Sequence, residues 1–114
     1  MNKEKTIKKN HQFRWIIKKG KKSNKKTVRI FVTQNKENKN KLGIAIKKEI
    51  KSAILRNRVK RVIREIYRLE ENKLKKQFNI IICFNTDVVD FNEIYNDIRK
   101  GFYDLNMYKN KENL

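Results

Sequence analysis

One stretch constrains this chain more than any other. Between residues 52 and 69, Leu55, Val59, Val62, Ile66 and Leu69 recur at steps of four, three, four and three. Steps of that size line up along one stripe of an α-helix and alternate with nothing on a strand. On a helical wheel at about 100° per residue, Leu55, Val59, Val62, Ile63, Ile66 and Leu69 share one side, while Asn57, Lys60, Arg61, Arg64 and Arg68 share the other. The spacing predicts a long amphipathic helix that packs its apolar side on a core, with Ser52 placed to cap its first turn.

The polar side of that helix carries a particular charge. A solvated helix face ordinarily mixes Glu with Lys, yet residues 55–63 contain no acid, and Glu65 is the first. Four of the helix's five Arg residues fall between 56 and 64, in a chain that elsewhere favours Lys. Arg presents a planar fork that engages phosphate oxygens bidentately and stacks on exposed bases, whereas Lys is a point charge. A merely solvated basic face is the simpler alternative.

Composition sets the bounds. A chain of 114 residues with 38% apolar content supplies one modest core, which implies a single domain over 1–114 with flexible ends at 1–6 and 109–114. Thirty-one Lys and Arg against 12 Asp and Glu give a formal net charge of +19, which repels itself unless a polyanion neutralises it. Nucleic acid is the obvious polyanion, although part of the charge is a Lys-rich background. A membrane surface would also attract such a chain, but no apolar run approaches the roughly 18 residues of a spanning helix. No signal-peptide core follows Met1, so a cytoplasmic location is expected. The one cysteine, Cys83, lies inside an apolar run and reads as core.

The other elements follow from periodicity. Across 7–19, Phe13, Ile16 and Ile17 recur at helical spacing, with Gly20 where a C-cap belongs. Residues 27–33 alternate Val28, Ile30 and Val32 against Arg29, Phe31 and Thr33, which predicts a strand after the polar run 21–26. Residues 34–41 then read as a hairpin loop into a second strand containing Leu42, Ile44 and Ile46. The run 80–84 reads as a buried strand, and Phe91, Ile94, Tyr95, Ile98 and Phe102 as a final amphipathic helix.

Residues 50–64, Ile-Lys-Ser-Ala-Ile-Leu-Arg-Asn-Arg-Val-Lys-Arg-Val-Ile-Arg, match at every position the signature of an apolar residue, Ala three later, Arg-Asn-Arg, an apolar residue, Lys-Arg and a closing apolar-basic pair. On these residues the chain resembles the bacterial ribonuclease P protein family. The resemblance extends from about residue 7 to 108. Lys8-Lys9-Asn10, Phe13 and Lys18-Lys19-Gly20 are similar to the family's first helix and its exit. Leu42 to Ile46 and Ile80 to Cys83 resemble the strands before and after the signature, and Met107-Tyr108-Lys109 the C-terminal end.

The resemblance implies an α/β (α+β) two-layer sandwich: a mixed four-stranded sheet, about three helices and a left-handed βαβ crossover. It also implies the protein subunit of a ribonucleoprotein that removes the 5′ leader of precursor tRNA. Its partners would be the catalytic RNA subunit and precursor tRNA, with one protein per ribonucleoprotein, Mg²⁺ bound mainly by the RNA, and no catalytic or metal-ligating residue on the protein. Carried over by position, Arg56, Asn57, Arg58, Lys60, Arg61 and Arg64 would contact RNA, joined by Lys48 from the family's basic pair and by Arg68, which the helical wheel puts on the same face. Phe13, Ile17, Phe31 and Tyr108 would line a cleft for the single-stranded leader, where aromatic faces stack on unpaired bases. Three departures from the family pattern bear on that cleft: Glu49 where a second Lys is usual, Ile17 where many members carry an aromatic, and Phe84-Asn85 in place of basic residues.

Other functions fit less well. A protein nuclease needs convergent acids, bases or metal ligands, and the chain offers His11 in the first helix and Asp87 and Asp90 after a strand, the latter two reading as loop and helix-cap residues. A structural RNA-binding protein of the ribosome shares the charge and the amphipathic helix but not the signature. A DNA-binding regulator lacks the short preceding helix of a helix-turn-helix.

Overall fold

In the computed structural model, which describes residues 5–110, the chain runs α1 (Asn10–Lys19), β1 (Lys21–Asn24), β2 (Val28–Gln34), β3 (Lys41–Ile46), α2 (Ala53–Glu70), a 3₁₀ turn (Glu71–Lys73), β4 (Phe78–Phe84) and α3 (Phe91–Asp104). Strand β4 organises the sheet. Its sequence is apolar towards both faces, and Ile80, Ile81 and Ile82 are fully buried. A strand of that kind belongs inside a sheet with a neighbour along each edge. Those neighbours are β2, antiparallel, and β3, parallel, and β1 adds beyond β2 to give the order β1-β2-β4-β3.

The central place of β4 overturns one expectation. The segment between β2 and β3 is not a hairpin loop, because β4 lies between the two strands. Parallel β3 and β4 are joined through α2, a crossover such pairs require. Strand β1 escapes the sequence pattern because Lys-Lys-Ser-Asn has no apolar alternation. It is an edge strand that buries only Ser23, and exposed lysines are what such edges carry.

Alternation along the strands sorts the side chains. Val28, Ile30, Val32, Leu42, Ile46, Ile80, Ile82 and Phe84 face α2 and α3, where Val59, Ile63, Ile66, Ile94, Ile98 and Phe102 complete the main core. Each such side chain contributes roughly 1.5–3 kcal/mol on leaving water. On the opposite face α1 lies across the sheet, packing Ile16 with Ile7, Phe31 and Ile81 and bringing Phe13 and Cys83 alongside. The mixed four-stranded sheet and three helices are those expected. Of the terminal segments expected to be flexible, 1–4 and 111–114 lie outside the described residues. Thr6 bridges to Leu42, and the Lys109 N–H donates to Lys73 O at 2.9 Å.

Gly20 is set by space. A Cβ there would stand 2.6 Å from Ile16 O and 2.8 Å from Val32 O, so only glycine lets the end of α1 turn this closely onto β2.

Candidate nucleic-acid interface

The hydroxyl of Ser52 accepts from Leu55 N at 3.2 Å, which starts α2 where the sequence placed it. Beyond that cap the helix exposes Asn57, Arg58, Arg61 and Arg64, and among the described residues no carboxylate forms an ion pair with these three guanidinium groups. Lys60 is half-buried beside Arg64. Both line a recess of about 350 Å³ that also takes in Lys8, Phe13 and Ile44, so the basic helix and the α1 face meet around the edge of β3. Lys48 is exposed on the connection into α2, next to Lys47, which pairs with Asp87 at 2.8 Å.

Two of the expected RNA contacts have other work. Arg56 folds back onto the β3–α2 connection, its Nη1 donating to Ile50 O at 2.9 Å and Lys47 O at 3.4 Å. Arg68 is held by Glu65 through bonds of 2.7 and 3.2 Å, and the same guanidinium keeps the Glu65 carboxyl below the usual carboxylate range. The apolar stripe also ends differently. Leu69 is 45% exposed, and the last buried position of α2 belongs to Glu70, 1% exposed.

The residues assigned to a cleft divide between the two faces of the sheet. Phe13 lays its ring against Gly43, where a Cβ would come within 2.6 Å of Cζ. Phe31 is buried in the floor beneath α1, and Ile17 is exposed on one flank of that helix. Tyr108 lies in the main core on the opposite face, edge-on to Phe102 with ring centroids 6.2 Å apart. Its hydroxyl donates to Glu70 Oε1 at 2.7 Å. A phenol fixed there cannot join Phe13 and Phe31 in one cleft.

Glu70 is the residue the sequence reading missed. Tyr95 and Tyr108 donate to its two oxygens at 2.8 and 2.7 Å, Lys73 lies 3.4 Å away and Arg99 3.9 Å away. The step from Val59 through Ile63 and Ile66 to Glu70 is the signal that could have found it, since it places a carboxylate on the buried stripe.

Asp90 caps α3 by accepting from Glu93 N at 3.1 Å, Asp87 pairs with Lys47, and His11 is exposed on α1. Among the described residues no three His, Cys, Asp or Glu side chains come together as metal ligands. Burial pushes the Cys83 thiol up to about 11, with Arg29 opposing the shift, which leaves it a protonated wall residue at neutral pH. Among the described residues no helix is long and apolar enough to cross a membrane.

Comparison with known proteins gives this surface its setting. The family model described as Ribonuclease P matches residues 1–106. The chain belongs to the ribonuclease P protein family. Its ribonuclease P relatives include the ribonuclease P protein component of Clostridioides difficile, 35% identical over 105 residues that span 91% of this chain and 90% of that one. That of Natranaerobius thermophilus is 34% identical over 77% of this chain and 78% of its own. Among solved structures, a Staphylococcus aureus RNase P protein mutant, described as defective in mRNA degradation activity, superposes with a TM-score of 0.83 at 28% identity, covering 93% of this chain and 92% of that one. The Thermotoga maritima RNase P protein superposes with a TM-score of 0.74 at 25% identity, over 83% and 92%. Membership makes the chain a protein component of ribonuclease P, an endoribonuclease of tRNA processing.

Proposed function

We propose that this ribonuclease P protein binds the RNA subunit through α2 and the 5′ leader of precursor tRNA through the α1 face, and assists removal of that leader in the cytoplasm. One observation carries the reading: Arg58, Arg61 and Arg64 stand exposed on one helix without a carboxylate partner among the described residues. Side chains placed that way are free to neutralise phosphates, and release of the counterions those phosphates held drives binding. Lys48 and Lys60 extend the same field towards Phe13, whose half-buried ring shares the recess with Lys60 and Arg64 and offers an unpaired base a stacking surface there.

In this reading the chain has no catalytic residue. Hydrolysis and its Mg²⁺ belong to the RNA subunit, and a single protein copy raises affinity for substrate by lowering repulsion between two folded RNAs. The test is reconstitution of the protein with the RNA subunit and labelled precursor tRNA at low Mg²⁺. Faster 5′ cleavage than with RNA alone supports the reading, and no acceleration sinks it. A basic structural RNA-binding protein of the ribosome would give the second outcome.

A further inference from the structure

The chain's single tryptophan is 54% exposed on α1. Taking Phe13 and Ile16 as the buried direction of that helix, Ile17 falls on one flank and Trp15 on the other. Trp15 therefore faces away from the Phe13 and Ile17 side. It stands at the mouth of a recess of about 700 Å³ that wraps the end of the sheet where β2 stops and β4 begins.

Four lysines, Lys19, Lys21, Lys75 and Lys76, share the lining of that recess. It contains no acid, and among the described residues none of the four is in an ion pair. The adjoining recess on the same flank does contain Glu37, but Lys41 holds it at 2.7 Å. An exposed indole on one side of a recess whose apolar lining is Val32, Phe78 and Leu105, with four unpaired ammonium groups around it, has the two parts that unpaired nucleic acid needs: a π-face for a base and cations for the flanking phosphates. Lysines spread around a stacking ring read backbone charge rather than base identity.

We propose that Trp15 with Lys19, Lys21, Lys75 and Lys76 forms a second binding site for single-stranded RNA, separated from the Phe13 side by the body of α1. The inference rests on the preceding section only in taking RNA as the polyanion. A chain that bound oligonucleotides at Trp15 but failed to assist 5′ cleavage would sink that reading and leave this one standing.

The experiment uses the indole as its own reporter. The full-length protein is titrated with a short fluorescein-labelled oligoadenylate at low salt, following label anisotropy for binding and Trp15 emission for stacking. Saturable quenching of Trp15 in step with anisotropy is expected. Trp15→Ala should weaken binding by about tenfold, the scale of one base stacked on an aromatic. Lys75→Ala with Lys76→Ala should also weaken it, most at low salt where charge contributes most, and leave the local fold intact, since the backbone of Lys75 and not its side chain bonds Met107 and Asn40. Phe13→Ala should leave the Trp15 quench in place. Binding by anisotropy with unchanged Trp15 emission overturns the proposal, as does Trp15→Ala binding as tightly as the parent. Equal quenching by polyglutamate would assign the surface to an acidic protein partner and overturn it as well.

Discussion

Tyr108 Oη donates to Glu70 Oε1 at 2.7 Å, tying the segment after α3 to the last turn of α2. Burial pushes the Glu70 carboxyl up, but the hydroxyls of Tyr108 and Tyr95 and the Lys73 ammonium outweigh it and hold the group below its ordinary value. A depressed folded-state pKa stabilises the fold above the unfolded-state value and loses that contribution as pH falls through the folded-state one. Glu70→Gln should therefore lower stability most at neutral pH, with the gap to the parent closing as the solution is acidified below the usual carboxylate range. Urea unfolding at a series of pH values measures it. A gap that widens in acid would show that Glu70 is not held as its anion.

Tyr108→Phe keeps the ring against Phe102 and removes only the hydroxyl. A hydrogen bond to a charged group is worth about 1.5–3 kcal/mol, so the denaturation midpoint should fall while leader binding stays unchanged. Were leader affinity to fall at constant stability, Tyr108 would have a role at the cleft that its place in the core does not provide.

Gly43→Ala places a methyl within 2.6 Å of Phe13 Cζ, and the ring must move. Overpacking of this kind costs about 1–3 kcal/mol. Because Phe13 is the atom set that clashes, Phe13→Ala should absorb most of the cost, and a double-mutant cycle by thermal unfolding should give clear non-additivity. Strictly additive losses would mean that the strain of the added methyl is taken up elsewhere.

Much of this was legible in advance for a physical reason. Helix α2, its Ser52 cap and its basic face rest on a period that one helix can satisfy only one way. Three things were not legible. Polar β1 is held by pairing with β2 rather than by apolar alternation. The insertion of β4 between β2 and β3 is a long-range choice that local turn signals do not encode. Glu70 and Tyr108 lie far apart in sequence, and only the packed core shows that a carboxylate and a phenol satisfy each other there. The same limit applied to Arg56, whose type says phosphate while its position says backbone carbonyl.

Arg56 accordingly separates from its neighbours. Its guanidinium braces Ile50 O and Lys47 O, which set the entry into α2. Arg56→Ala should lower the unfolding free energy by about 1.5–3 kcal/mol and change the salt dependence of RNA-subunit binding little. A large loss of slope at unchanged stability would put Arg56 among the phosphate contacts after all.

Arg61 and Arg64 should behave in the opposite way, because both are exposed and neither has a carboxylate partner among the described residues, whereas Arg68 is engaged by Glu65. Each phosphate neutralised contributes roughly 0.7 to 0.9 to the slope of log affinity against log salt. Arg61→Ala with Arg64→Ala should flatten that slope by roughly 1.4 to 1.8 without lowering the unfolding midpoint, since surface substitutions of this kind stay within about 0.5 kcal/mol. Arg68→Ala should flatten it much less, because forming a phosphate contact there must first break the bond to Glu65, and Glu65→Gln should bring Arg68 closer to its neighbours. Filter binding of the RNA subunit across a salt series measures all four proteins. A double variant that keeps the parent slope would move the RNA contact off α2.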